Sequence, residues 1–174
     1  MDIYFLRHGL AGQHGDPKYK DDSLRPLTVD GQEKMCRAVL GMQILNLEFD
    51  AILSSPYLRA RQTAEIVART YNIKNNEIYL TTHLLPPASV KDLIKEARRL
   101  FPKSKNLLFV GHEPHLTEMI SSLLGCDGTL GIDFKKGGLC CLSLQQGSPR
   151  LNWLLTPSQL RLFSKEKQRS QLPK

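Results

Sequence analysis

Apolar positions along this chain fall into two alternating patterns. Short continuous runs, Asp2-Ile3-Tyr4-Phe5-Leu6, Ala51-Ile52-Leu53-Ser54, Glu77-Ile78-Tyr79-Leu80 and Asn106-Leu107-Leu108-Phe109-Val110, read as strands, most of them buried on both faces. Between them, apolar residues recur at helical spacing: Met35, Ala38, Val39, Met42 and Leu45 after a start at Thr28, then Ile66 and Val67 in a helix running from near Pro56 to about Tyr71. Val90, Leu93, Ile94, Ala97 and Leu100 follow a start near Ser89 and stop before Pro102, and Leu116, Met119, Ile120 and Leu123 follow Pro114, which suits a first helical turn. The final pair, Gly138–Leu144 and Arg150–Leu155, flanks Gln145-Gln146-Gly147-Ser148-Pro149 and reads as an antiparallel hairpin, with Trp153 packing in the core or on the sheet face. Strand and helix in alternation predict an α/β three-layer sandwich: a mainly parallel central sheet flanked by helices, with the hairpin at its C-terminal end.

Composition narrows the picture only in places. A chain of 174 residues with 41% hydrophobic content supports one core, expected over residues 1–156, with 157–174 as a basic, solvated tail. No apolar run approaches the roughly 20 residues of a membrane span, and no leader pattern precedes Arg7, so a cytoplasmic protein without membrane association is expected. The four cysteines, Cys36, Cys126, Cys140 and Cys141, lack the spacing of a bridge framework or zinc site and read as small buried hydrophobes. A formal net charge of +7 invites a nucleic-acid partner, but Arg161, Lys165, Lys167, Arg169 and Lys174 crowd the tail and no nucleic-acid motif accompanies them. Anionic substrates explain the internal arginines better.

Candidate chemistry collects where strands end. The first strand runs into Arg7-His8-Gly9, the second into Ser54 through Arg59, and the fourth into Gly111-His112. In a parallel sheet these ends share one rim, and ligands bind outside the carboxyl ends of strands. The irregular stretch from Ala11 to Arg25 hangs beside that rim, and long loops in compact domains tend to carry function. Two histidines with two or three arginines fit a phosphoryl group: imidazole can attack phosphorus, and guanidinium forks neutralise phosphate oxygens without a metal or other cofactor. His14, His83 and His115 read as surface residues, and Arg61 as half of a surface ion pair on its helix.

Phe5-Leu6-Arg7-His8-Gly9, Asp22-Ser23-Leu24-Arg25-Pro26-Leu27-Thr28, Ser54-Ser55-Pro56-Tyr57-Leu58-Arg59-Ala60-Arg61-Gln62-Thr63-Ala64 and Val110-Gly111-His112 occur in one order across most of the chain. Together they resemble the histidine phosphatase superfamily, with its phosphoglycerate mutase-like fold, and within it the short SixA-type phosphohistidine phosphatases. The resemblance implies a catalytic domain with His8 as the phosphorylated nucleophile. It assigns Arg7, Arg59 and His112 to the rest of the phosphate pocket and Arg25 to an additional phosphate contact.

The proton donor departs from the family pattern. Mutase-like relatives place a glutamate after the third strand, where Leu84-Leu85-Pro86-Pro87-Ala88 offers no carboxylate. Acid-phosphatase-like relatives use an aspartate after the second histidine, where this chain has Glu113. Glu113 is the one candidate donor, although acids at helix starts also serve the dipole. A site without a firm acid suits a phosphoramidate better than an alkyl ester, whose poor leaving group gains about 10²- to 10⁴-fold from general acid catalysis. The short chain leaves the pocket open to a phosphorylated protein side chain. The expected activity is therefore a phosphohistidine phosphatase acting on phosphohistidine-containing protein and releasing inorganic phosphate. The alternatives are a small-molecule phosphomonoesterase or mutase, and a non-catalytic phosphoprotein-binding module.

Overall fold

The computed structural model describes residues 1–74, 78–144 and 148–170, with the side chains of 165–170 excepted. The apolar runs become one six-stranded sheet: β1 (Asp2–Arg7), β2 (Ala51–Ser54), β3 (Ile78–Leu80), β4 (Asn106–Gly111), β5 (Leu139–Ser143) and β6 (Arg150–Leu155), in the order β3-β2-β4-β1-β5-β6. β1, β2, β3 and β4 pair in parallel, and β5 and β6 add antiparallel on the other flank of β1. The expected hairpin strands are thus present. Its turn, Gln145-Gln146-Gly147, lies outside the described residues, as do Glu77 and Lys174 and the side chains of Lys165, Lys167 and Arg169.

Side-chain alternation divides the strands between two cores. Tyr4, Leu6, Ile52, Leu108, Val110 and Cys141 pack with Met35, Val39 and Met42 of α1 (Val29–Ile44) and Ala60, Ala64 and Val67 of α2 (Leu58–Tyr71). Ile3, Phe5, Leu53, Leu107, Phe109 and Cys140 face the other way, onto Leu93 and Ala97 of α3 (Val90–Leu100) and Leu116 and Ile120 of α4 (His115–Leu123). This is the three-layer sandwich that the alternating pattern predicts. The starts of α1 and α3 follow their capping residues: Thr28 accepts from the Gly31 amide at 2.9 Å, and Ser89 from Lys91 and Asp92 at 3.1 and 3.3 Å.

Several expectations need correction. Pro114 occupies the N-cap position of α4, so the helix opens one residue later, at His115. That histidine is 3% exposed, because α4 turns its first residue inward rather than to solvent. Among the cysteines only Cys140 and Cys141 are buried, while Cys36 is exposed on α1 and Cys126 half-buried. The stretch after Thr156 is not a solvated tail from its first residue. It forms α5 (Pro157–Ser170), which lies on α1 and buries Leu160 completely. The density of lysine and arginine there hides one apolar anchor. Among the described residues no helix is long and apolar enough to cross a membrane.

The α1–α5 contact depends on Gly41. A side chain at that position would run into the Leu160 backbone carbonyl, so the two helices approach closely only because there is none. Gly41→Val is expected to cost about 1–3 kcal/mol of stability, the usual range for overpacking. Urea denaturation followed by circular dichroism would measure it, and an unchanged midpoint would show that α5 docks loosely.

Candidate active site

Parallel pairing turns the C-terminal ends of β1 to β4 toward one rim, and the hydrogen-bond ladder continues one residue past the strands. The His8 amide donates to the Gly111 carbonyl at 3.0 Å, Ser55 to Val110 at 2.9 Å and Thr81 to Ser54 at 2.9 Å. His8 and His112 therefore stand side by side, their ring centroids 5.0 Å apart. The row extends through Tyr57, 5.1 Å from the His112 ring, to the Arg59 guanidinium, 5.0 Å from the Tyr57 centroid. Four of the side chains singled out in the sequence, His8, His112, Arg59 and Arg25, are each more than nine-tenths buried at this rim.

The state of His8 follows from one hydrogen bond. Its Nδ1 lies 2.7 Å from the Gly9 carbonyl oxygen, which can only accept, so in the neutral ring Nδ1 carries the proton. The Nε2 lone pair is left free. Burial lowers the His8 pKa well below the ordinary imidazole value, His112 adds to the shift, the Gly9 bond opposes it, and Arg59 and Arg7 lower it further. His112 is brought down to about 3 by burial first and then by Arg59 and Arg25, with Asp22 opposing. Both rings are neutral at pH 7. A side chain at Gly9 would press on Leu27, so this glycine serves the approach of the following segment rather than clearing the way to His8.

The loop from Ala11 to Arg25 is closed at its neck by an Ala11–Leu27 bridge, by the Gly12 amide on the Pro26 carbonyl at 3.1 Å, and by the Leu27 amide on Gln62 of α2 at 2.7 Å. It delivers Arg25, and with it Asp22, a residue that the sequence reading left without a role. Asp22 Oδ1 accepts from Arg25 Nε and Nη2, both at 2.9 Å, and Oδ2 accepts from Arg59 Nη2 at 3.0 Å. The Asp22 carbonyl takes Arg59 Nη1 at 2.8 Å, and Gly12 takes Arg25 Nη1 at 2.7 Å. One carboxylate thus joins the loop arginine to the helix arginine. Partial burial works against its charge, but hydrogen bonds from His14 and Arg25 and the charge of Arg59 prevail and hold its pKa at about 2. Only its place three residues before Arg25 hinted at this in the sequence.

Thr63 ties α2 to the histidine: its Oγ1 accepts from the Gly9 amide at 3.1 Å and donates to the Arg59 carbonyl at 2.7 Å. Arg7 is held from the opposite flank, where Nη1 donates to the Phe134 carbonyl at 2.6 Å. Burial draws the pKa values of Arg7 and Arg59 down, opposed by Glu113 and Asp22 respectively, and both guanidiniums stay charged. Arg7 Nε, Arg59 Nε and His112 Nδ1 are buried without a hydrogen-bond partner among the described residues, while His112 Nε2 sits 2.7 Å from Ser55 Oγ.

Glu113 is otherwise employed. Its Oε1 accepts from the Thr117 amide at 3.1 Å and its Oε2 from the Thr117 hydroxyl at 2.6 Å, which supplies the side-chain cap that Pro114 cannot give to α4. Burial raises its pKa, with those bonds and Arg7 opposing. At the end of β3 the carboxylate present is Glu96 from α3, bonded by Thr81 Oγ1 at 2.5 Å and 4.0 Å from His83. Exposed His14 bonds Asp22 at 3.0 Å, and Arg61 pairs with Glu65 across one helical turn at 3.3 Å, the surface pairing expected of it. Among the described residues no group of three or more His, Cys, Asp or Glu side chains stands close enough to hold a metal ion.

Comparison with known proteins agrees with this geometry. Residues 3–80 match the model of the histidine phosphatase superfamily (branch 1). An uncharacterized protein of Picosynechococcus is 34% identical over 87% of this chain and 88% of its own length. Phosphohistidine phosphatase SixA of Escherichia coli is 25% identical over 93% of this chain and 98% of its own. Among solved structures, the protein histidine phosphatase SixA complexed with tungstate superposes with a TM-score of 0.78 at 25% identity, covering 92% of this chain and 99% of that one.

The depressed values of His8 and His112 have a direct readout. In a histidine-selective NMR titration of the folded protein, both rings should keep neutral chemical shifts as pH falls from 8 through the ordinary midpoint near 6.5 to about 5. A midpoint near 6.5 for either ring would contradict the burial and charge arrangement described above.

Proposed function

Because the chain belongs to the histidine phosphatase superfamily, SixA type, and is a phosphatase, we propose that it hydrolyses phosphohistidine on a protein partner through a phospho-His8 intermediate. The observation that carries this reading is the Nδ1–Gly9 hydrogen bond of 2.7 Å, which leaves His8 Nε2 unprotonated at neutral pH. In the first step Nε2 forms a bond to phosphorus while the bond from phosphorus to the substrate imidazole breaks, and the departing imidazole takes the proton it needs from solvent. In the second, the oxygen of a water bonds to phosphorus while the bond from phosphorus to Nε2 breaks, the water's protons stay with the departing inorganic phosphate or pass to solvent, and Nε2 recovers its lone pair. Arg7, Arg25, Arg59 and His112 hold the phosphoryl oxygens, and charge-assisted bonds from preorganised guanidiniums act most strongly as charge redistributes at phosphorus.

The substrate class rests on two features. Glu113 caps α4 through Thr117, so the one carboxylate that the sequence offered as proton donor has a structural employment. A phosphoramidate needs such a donor less than an alkyl ester does. The site also lies at the C-terminal rim of the sheet, built from strand ends and one loop, a position suited to a side chain projecting from another protein. Small phosphate esters usually require a more enclosing wall.

Two substitutions test this reading. His8→Ala should abolish turnover of a phosphohistidine peptide while leaving inorganic phosphate binding partly intact, and rapid acid quench of the wild type with a labelled phosphodonor should trap a phosphoenzyme that the variant lacks. Near-normal activity of His8→Ala would remove the mechanism. Glu113→Gln should keep turnover within about threefold of wild type and lose about 0.5–2 kcal/mol of stability as a weakened cap. Faster hydrolysis of sugar phosphates or phosphoglycerate than of the peptide, with collapse of that activity in Glu113→Gln, would instead make the protein a small-molecule phosphomonoesterase.

A further inference from the structure

The segment before β5 wraps the end of the nucleophile strand more tightly than a connection requires. Besides the Phe134 bond to Arg7, the Gly137 amide lies 3.0 Å from the Arg7 carbonyl and 3.1 Å from that of His8, and the Arg7 amide donates to Gly138 at 3.1 Å. The Gly138 amide returns to the Lys135 carbonyl at 2.8 Å, with Gly137 at φ +79°, a conformation that glycine adopts without strain. This turn is therefore fixed to the two residues that open the phosphate pocket. Its tip is Lys136, which is exposed and directly precedes the glycine bonded to both carbonyls.

The two adjacent lysines have different surroundings. Lys135 pairs with Asp133 at 2.6 Å, whereas Lys136 has no carboxylate partner among the described residues. Partial burial first, and then the charges of Arg7, Arg25 and Arg59, lower the Lys136 pKa. The bonds of the turn to the Arg7 and His8 carbonyls put Lys136 at the rim that holds three arginines, of which Asp22 joins Arg25 and Arg59 while Glu113 and Asp133 act on Arg7. An ammonium kept among guanidiniums without a counter-ion is disfavoured until an anion arrives, and a dianionic phosphoryl group would relieve that repulsion. A flexible lysine stem can move to such an anion, unlike the arginines already engaged with Asp22, Gly12 and Phe134.

We propose that Lys136 is a fourth cationic residue of the phosphate pocket, closing from the Lys135–Gly138 turn onto the outer oxygens of a bound phosphoryl group. The inference rests on the phosphatase reading of the site and assigns Lys136 to binding rather than to the leaving group. Its test is calorimetric titration of the intact protein with inorganic phosphate, which needs no turnover. Lys136→Gln should weaken phosphate binding about tenfold, the scale of one charge-assisted hydrogen bond, and flatten its salt dependence. Lys136→Arg should restore most of the affinity. Lys135→Gln, which removes the same charge from the same turn, should bind as wild type. With a phosphohistidine peptide, Lys136→Gln should raise KM and leave kcat nearly unchanged. Equal phosphate binding by wild type and Lys136→Gln overturns the assignment, as does a fall in kcat at unchanged affinity. Failure of the wild type itself to bind phosphate overturns the phosphatase reading instead.

Discussion

The site depends on the parallel pairing of β1 with β4, with Arg7 opposite Gly111. That register puts the amide of His8 on the Gly111 carbonyl and brings the two histidines into one row. A slip of one residue would exchange the faces of every side chain in β1, sending Ile3 and Phe5 toward the helices that now receive Tyr4 and Leu6. The two cores consequently defend the position of His8. Chemistry at the rim inherits its precision from apolar packing several residues away.

Electrostatics at the rim runs against ordinary burial rules. Arginines sit beside histidines in a largely desolvated setting, and the outcome is a set of neutral imidazoles rather than imidazoliums. Asp22 makes the arrangement tolerable, since it neutralises part of the guanidinium charge and spans from the loop to α2. Thr63 then connects the same helix to Gly9, the residue after His8. Loop, helix and strand end are one hydrogen-bonded assembly, with guanidiniums oriented before any substrate arrives. Such prior orientation is what makes electrostatic stabilisation of a transferring group effective.

Much of the fold was legible because apolar runs and helical spacing are periodic, and the same periodicity located the strand ends where Arg7, His8 and His112 lie and the helix start that carries Arg59. Residues outside periodic segments carry no such signal. Asp22 and Lys136 sit in irregular stretches, and their neighbours are set by how those stretches fold back on β1 and α2 rather than by spacing. Glu113 illustrates the converse difficulty: its position after His112 suggests chemistry, while its bonds to Thr117 show a cap made necessary by Pro114. His115 looked like a surface residue because one histidine among polar neighbours says nothing about which way a helix faces. In α5 the count of basic residues concealed Leu160, whose side chain is fully buried where the helix lies on α1.

The place of β1 within the sheet has a consequence for how the protein forms. β1 precedes both of its partners, β4 and β5, by a long stretch of chain, so Asp2 pairs with Asn106 on one side and Ser143 on the other. While the chain is being synthesised, β1 must wait with both edges open until those distant segments appear. Contacts so far apart in sequence are slow to form, and unpaired apolar strands are prone to associate with other chains in the interval. Arg7 and His8 are therefore encoded early and assembled late: the strand that carries them gains its second edge only when β5 pairs with it.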